Sequence, residues 1–272
     1  MPTNPINQAQ QNDLVREQFT RTAQVFGDFA VATRGQDAQL LASLVRAGGQ
    51  NLAVDVACGP GTLALRFAQH VRRVCGLDLT PAILGRARDS AAAEGLANLD
   101  FVLGDAQALP FADGALDIAV TSYSLHHMAE PARVIGEMAR VVRRGGRVGV
   151  ADIRVSEDPR SADINNRIER LRDASHTRTL ARSEFETIFA RNGLRILAAE
   201  IEEKSRPFDH WLLVAGWKPG DRPYEEARRL LESTVSDNLA GFHPTIVTAP
   251  SAGERPELHI TNTVLFLAGE KI

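Results

Sequence analysis

Four short polar clusters in this 272-residue chain carry residue types that can hold a ligand or move a proton. The first is Asp55-Val-Ala57-Cys-Gly59-Pro-Gly61-Thr62, which follows the apolar run 52–56. Gly59 and Gly61 put no side chain in the way, so a ligand can lie against bare backbone where a helix begins. The second cluster is Asp78-Leu79-Thr80-Pro81, the third Gly104-Asp105-Ala106, and the fourth runs from Thr121 through Ser122 to His126-His127. Histidine has an ordinary pKa near 6.5, so His126 or His127 can accept a proton from a hydroxyl or an acidic carbon at neutral pH. One of the pair would orient the loop and the other face substrate, with Asp152 as a partner or second base. His176 and His210 are further candidates, more often structural in such settings. Cys58 and Cys75 read as small packing residues.

The elements around these clusters alternate. Strands are expected at 52–56, 74–79, 99–103, 116–121 and 147–153, and helices at 62–71, 81–94 and 131–140. Pro81 sits in a first helical turn, where its missing N–H does no harm. Strand and helix at this spacing mean right-handed crossovers and a parallel sheet covered on both faces. The polar clusters then fall at the carboxyl ends of four strands, where open α/β sheets bind ligands.

Upstream, residues 1–12 are polar and expected to be loose. A helix runs from residue 13, with Leu14, Val15, Phe19, Ala23, Phe26 and Phe29 on one face. It is broken at Gly35, and a second helix covers 37–47. Downstream, helices are expected at 162–174, 183–192 (capped by Ser183 with Glu186 three residues on) and 224–235. Strands are expected at 194–201 and 259–268, with a turn-rich loop over 240–256.

Composition narrows the function. Hydrophobic content of 44% with 24% charged residues is that of a globular protein. A net charge of −3 gives no broad attraction to nucleic acid or an acidic membrane. Two cysteines support neither a disulfide framework nor a thiolate metal cage, and no metal site is expected. No apolar run reaches the ~18 residues needed to span a bilayer, and the polar start lacks the apolar segment of a secretory signal. A cytoplasmic location is expected.

In combination, the clusters resemble a known family. Val-Asp-Val-Ala-Cys-Gly-Pro-Gly-Thr looks like the first motif of the class I S-adenosylmethionine-dependent methyltransferases, Gly-Leu-Asp-Leu-Thr-Pro the second, and Gly-Asp-Ala-Gln-Ala-Leu-Pro-Phe the third. Ser-Leu-His-His-Met with Arg-Val-Val-Arg-Arg-Gly-Gly is similar to the ubiquinone/menaquinone-biosynthesis (type 11) branch. Residues 172–178 and the tail from Phe208 more weakly resemble a poorly characterised bacterial branch of that type.

The resemblance implies a Rossmann-like, doubly wound α/β fold with a mainly parallel seven-stranded sheet. It also divides the chain into an N-terminal helical cap (1–48), a cofactor-binding core (49–154) and a C-terminal part with a lid and the last strands (155–272). It implies S-adenosylmethionine as cofactor and a small-molecule methyl acceptor of quinone, phenol or natural-product type. Carried over by position, Gly59 and Gly61 admit the methionine part beside Ala57, while Asp55 orders the loop or meets the cofactor's amino group. Asp78, next to Leu79, accepts from both ribose hydroxyls, a bidentate task suited to a carboxylate. Asp105 accepts from the adenine amino group beside the Ala106 amide, and Ser122 touches the cofactor. Phe19 and Phe26 close the pocket.

Two positions depart from the family pattern: Ala57, where glycine is usual, and Pro60, which fixes a turn dihedral and removes a donor. Phe185, Phe208, Trp211 and Trp217 point to an apolar or aromatic acceptor, or else form ordinary core. Three rival readings remain. One is a non-methylating enzyme such as a cyclase on the same scaffold. Another is a nicotinamide dehydrogenase, disfavoured because Gly-x-Gly-x-x-Gly is absent. The third is a non-enzymatic cofactor-sensing module.

Overall fold

The computed structural model describes residues 7–247 and 255–272. Residues 1–6 of the expected loose start and 248–254 of the expected loop lie outside them. The apolar run Leu52–Val56 forms β1, buried on both faces as a central parallel strand must be. Arg73–Asp78 (β2) and Leu99–Leu103 (β3) follow on one side, Leu116–Ser122 (β4) and Val142–Ile153 (β5) on the other. These five strands are parallel. Leu194–Pro207 (β6) and Glu257–Lys271 (β8) complete the sheet in the order β3-β2-β1-β4-β5-β8-β6, with β8 antiparallel to both neighbours. That is the expected seven-stranded arrangement plus one addition: Thr245–Val247 (β7) pairs with the start of β8, where that strand outruns β5.

The order reverses between β1 and β4, which splays their carboxyl ends apart into a crevice. Thr121 bridges the two strands just below it, its hydroxyl donating to the Val56 carbonyl at 2.6 Å. Thr62–Ala68 (α4), Pro81–Ala93 (α5) and Pro131–Val141 (α6) cover the faces. One apolar cluster under β1, β4 and β5 includes Leu125, Met138 and Phe185; the other includes Leu41, Phe67 and Phe266. Each fully buried side chain of this size contributes ~1.5–3 kcal/mol.

The N-terminal segment differs from the sequence expectation. Its first helix is Gln8–Arg21 (α1), begun five residues early by a capping box in which Asn7 and Gln10 satisfy each other's backbone amides. Buried Gln11 holds it down by donating to the carbonyls of His127 (2.8 Å) and Ser175 (2.6 Å). The helix stops at Thr22, whose hydroxyl turns back onto the Gln18 carbonyl; Ala23–Thr33 (α2) and Gly35–Leu44 (α3) follow.

Other differences are local. β5 begins before the glycine pair, which forms an irregularity within it: Leu116 pairs with Val142 and Ile118 already with Arg147. Pro159–Arg172 (α7) starts and ends slightly early, at a cap supplied by Asp158. Arg182–Arg191 (α8) is begun by Glu184, which accepts the Ala181 amide at 2.9 Å, whereas Ser183 bonds Glu157. Phe208–Val214 (α9) was not anticipated, because seven residues give too short a run for its buried stripe of Phe208, Trp211 and Leu212 to stand out. With Arg222–Glu232 (α10) and α7 it encloses a separate small core of Phe208, Trp211, Tyr224 and Phe242.

Candidate active site

The crevice at the strand reversal is a cavity walled by the β1, β2, β3 and β4 ends and roofed by α1 and α2. The glycine turn folds onto it through three left-handed residues, Ala57 (φ 56°), Gly59 (φ 54°) and Gly61 (φ 84°). Ala57 and Gly59 line the cavity. Gly61 does not: an added Cβ there would stand 3.1 Å from Ala87 and 3.2 Å from the Phe101 ring, so its missing side chain serves packing on α5 and β3.

Asp55 is also withdrawn from the cavity. It lies fully buried beneath the turn, with no partner of normal hydrogen-bond geometry on either carboxylate oxygen among the described residues. Burial pushes its pKa well above the carboxylate range, and the Ala64 amide offsets that only partly.

Asp78, Leu79, Asp105, Ala106 and Ser122 do converge on the cavity. Each Asp78 oxygen accepts one backbone N–H, from Gly59 and from Thr80, both at 2.9 Å. That leaves a lone pair on each oxygen for a neighbouring pair of hydroxyls. Burial raises its pKa despite these hydrogen bonds, a desolvation that further donors would compensate. Asp105 accepts the Gln107 amide (2.8 Å) on one oxygen and the Asn12 side-chain amide (3.0 Å) on the other. Asn12 comes from the segment expected to be loose. Phe19 and Phe26 meet edge to face at 5.1 Å in the roof. The lining thus fits an adenosyl group: bare backbone, then two carboxylates with acceptor capacity to spare.

The two histidines sit in the single 3-10 turn Leu125–His127 after β4, ring centroids 4.2 Å apart, in different settings. His126 Nδ1 is 2.6 Å from buried Asp152, which also accepts the amides of Leu125 and Ile153 and is held in place by them. His127 Nδ1 is 3.1 Å from Ser175 Oγ, whose proton goes to Asp173. Burial, reinforced by the neighbouring His126, lowers the His127 pKa to about 4, so it is neutral at pH 7. His176 is fixed away from the cavities by Asn166, at 2.9 Å. His210 packs on Phe29 at 5.6 Å.

The sequence matches the family described as a methyltransferase domain over residues 54–150. It is 31% identical over 206 residues to the uncharacterized methyltransferase YcgJ of Bacillus subtilis (strain 168), covering 75% of this chain and 80% of that protein. The chain belongs to the class I S-adenosylmethionine-dependent methyltransferases. The solved structure of the YcgJ protein from Bacillus subtilis matches it with a TM-score of 0.79 at 26% identity, over 87% of this chain and 98% of that one. The ubiquinone/menaquinone biosynthesis C-methyltransferase UbiE of Roseobacter denitrificans is 38% identical over 114 residues, 41% of this chain and 45% of that protein.

In this methyltransferase a second cavity, of about 390 Å³, adjoins the first, and Arg34 and Tyr123 line both. Its wall includes His126, Arg172, Arg206, His210 and Trp211. Of the four aromatics expected to mark an apolar acceptor, Phe185 and Phe208 are core, at 1% and 0% exposure. Trp217 donates its indole N–H to the Arg172 carbonyl, and only Trp211 reaches the cavity wall. Three of the four therefore serve packing rather than the cavity, whose wall combines Phe29, Tyr123 and Trp211 with many charged side chains. The sequence reading missed Asn12, Arg34, Tyr123 and Arg206, none of which lies in a family-like run. Arg172 does, at the head of the 172–178 resemblance, but nothing there gave it a role. Among the described residues no helix is long and apolar enough to cross a membrane, and no three His, Cys, Asp or Glu side chains are grouped to hold a metal.

Proposed function

We propose that this chain transfers a methyl group to a small-molecule acceptor placed in the second cavity, by in-line displacement, with His126 as general base. The observation that supports it most is the convergence of Asp78, Asp105 and the Gly59 turn on one cavity that shares a wall with a second. Asp78 would hold the ribose hydroxyls and Asp105 the adenine amino group. Gly59, Ala57, Leu79, Ala106 and Ser122 would shape the remaining contacts. S-adenosylmethionine, when bound, supplies a methyl group already activated on a sulfonium, so the protein's task is placement and exclusion of water.

Roofed by Phe19 and Phe26, the cavity is shielded from solvent on the α1–α2 side. With Nδ1–H donated to Asp152, His126 presents its Nε2 to the acceptor's proton, and the carboxylate steadies the imidazolium that results. His127, neutral to about pH 4, is a poor base and acts as a wall and loop anchor. Calorimetry with S-adenosylhomocysteine tests the cofactor residues: native protein binds it and Asp78→Ala binds it far more weakly. A screen of quinones, phenols and small heterocycles, read by mass spectrometry, tests the transfer. Turnover of an acceptor without stoichiometric S-adenosylhomocysteine would replace this reading by the non-methylating one.

A further inference from the structure

The wall of the second cavity carries two guanidinium groups that no carboxylate among the described residues pairs with directly. Arg34, at the bend between α2 and α3, and Arg206, near the end of β6, form no hydrogen bond or ion pair through their guanidinium groups among the described residues. Their faces are occupied instead. The Arg34 guanidinium stands 4.0 Å from the Tyr123 ring centre, and Arg34 and Arg206 both approach Phe29, at 5.8 and 5.7 Å. Arg172, at the end of α7, also lies 5.1 Å over Trp211, but its N–H groups are taken by the Trp211 carbonyl and by Glu169, unlike those of Arg34 and Arg206. A guanidinium stacked on an aromatic ring keeps its N–H edge free for a planar oxyanion.

Two of the three carboxylates that face the same cavity are paired with other cations of its wall, not with Arg34 or Arg206. Asp37 accepts the Tyr123 hydroxyl at 2.6 Å and pairs with Lys204 at 2.7 Å. Glu169 pairs with Arg172 at 3.5 Å, and Glu203 is exposed. Burial lowers the pKa of Arg34 to about 10 and lowers that of Arg206, so both stay charged at neutral pH while lacking full solvation. An incoming anion would relieve that cost; an apolar acceptor would deepen it.

We propose that the methyl acceptor is an acid, a small molecule whose carboxylate or phosphate is held by Arg206 with Arg34. This rests on the methyl-transfer reading above and adds the substrate class. Arg34 lines both cavities, so its charge can also serve the carboxylate of the cofactor's methionine part. Arg206 lines only the second cavity and is the discriminating residue. The anionic group sits at the Arg206 end, and the atom to be methylated lies toward Tyr123 and His126, where the cavities meet. A volume of about 390 Å³ accommodates an acid of modest size.

The test uses the full chain saturated with S-adenosylhomocysteine. It is titrated with benzoate, 4-hydroxybenzoate, indole-3-acetate and phenyl phosphate, and with the matching neutral amides and phenol, read by calorimetry. At least one acid is expected to bind about tenfold more tightly than its neutral counterpart, the carboxylate and phosphate arms telling which oxyanion fits. In Arg206→Gln that preference falls to within about threefold, Arg206→Lys keeps part of it, and S-adenosylhomocysteine binding stays within about twofold of native. Neutral probes binding as well as acids across the panel, no acid binding at all, or an undiminished preference in Arg206→Gln overturns the proposal. Failure of the native protein to bind S-adenosylhomocysteine overturns the functional reading instead.

Discussion

The two cavities share a wall but are built in opposite ways. The first is made of backbone and strand ends: Asp78 is held by the amides of Gly59 and Thr80, and Asp105 by that of Gln107. The second is made of long side chains drawn from remote segments, with Arg34, Arg172 and Arg206 brought together by α2–α3, α7 and β6. A site set by backbone hydrogen bonds requires a fixed local spacing, whereas one set by side chains requires only that the fold deliver them. Rigid, generic cofactor binding and variable acceptor binding are what such a division provides.

Replacing His126 should break the comparison most strongly, because that residue lines the second cavity and not the first. His126→Gln should lower kcat by about 10²-fold or more, as loss of a general base does, while S-adenosylhomocysteine affinity stays within about twofold. Steady-state rates beside calorimetry check both halves. A parallel collapse of cofactor binding would mean that the two cavities are one cooperative unit.

The complementary change is Asp78→Asn. An amide keeps one acceptor oxygen, turns a donor toward Gly59 or Thr80, and removes the charge. Loss of charge-assisted hydrogen bonds should weaken S-adenosylhomocysteine binding about 100-fold, roughly 3 kcal/mol, and leave acid binding in the second cavity nearly untouched. An unchanged dissociation constant would take Asp78 out of the cofactor site.

The division also explains what could be read from the chain. The β1 turn, Asp78, Asp105 and the Ser122–His127 loop were legible because each lies a fixed few residues beyond an apolar run. Gly61 and Asp55 share that spacing yet face inward, since a motif fixes the turn but not which of its members touch the cavity. The start of α1 was misjudged because its buried face there carries Gln11, a polar residue satisfied by the His127 and Ser175 carbonyls, which only the fold supplies. Arg34 and Arg206 had no signature, since two arginines 172 positions apart form no pattern until β6 and α3 are placed.

A pH series sharpens the contrast between the histidines. His127 has a pKa near 4 in the fold against about 6.5 unfolded, so the unfolded chain binds the extra proton between those values. Its contribution is therefore intact above about pH 6.5 and is lost as pH falls toward 4, by roughly 2–3 kcal/mol. Buried Asp78 and Glu169, with raised pKa values, act in the opposite sense at low pH, so the informative quantity is a difference. The stability gap between native and His127→Gln, from urea unfolding, should shrink or reverse from pH 7 to pH 4. A gap independent of pH would mean that His127 titrates alike in the folded and unfolded chain.

Ala57 gives the smallest effect and bears on how the backbone-built cavity tolerates change. At φ 56° its Cβ crowds the next carbonyl, which costs about 1–2 kcal/mol for a non-glycine residue. Glycine would remove that strain but bring about 0.5–1 kcal/mol of extra unfolded-chain entropy. Ala57→Gly should therefore raise stability by under about 1 kcal/mol, visible as a small increase in the urea midpoint. Because the turn is already held by Cys58 N–H on the Leu77 carbonyl, Gly59 N–H on Asp78 and Gly61 N–H on the Cys58 carbonyl, its geometry does not depend on residue 57. S-adenosylhomocysteine affinity should stay within about threefold of native. A larger gain in affinity would show that the methyl group itself shapes the cofactor's seat.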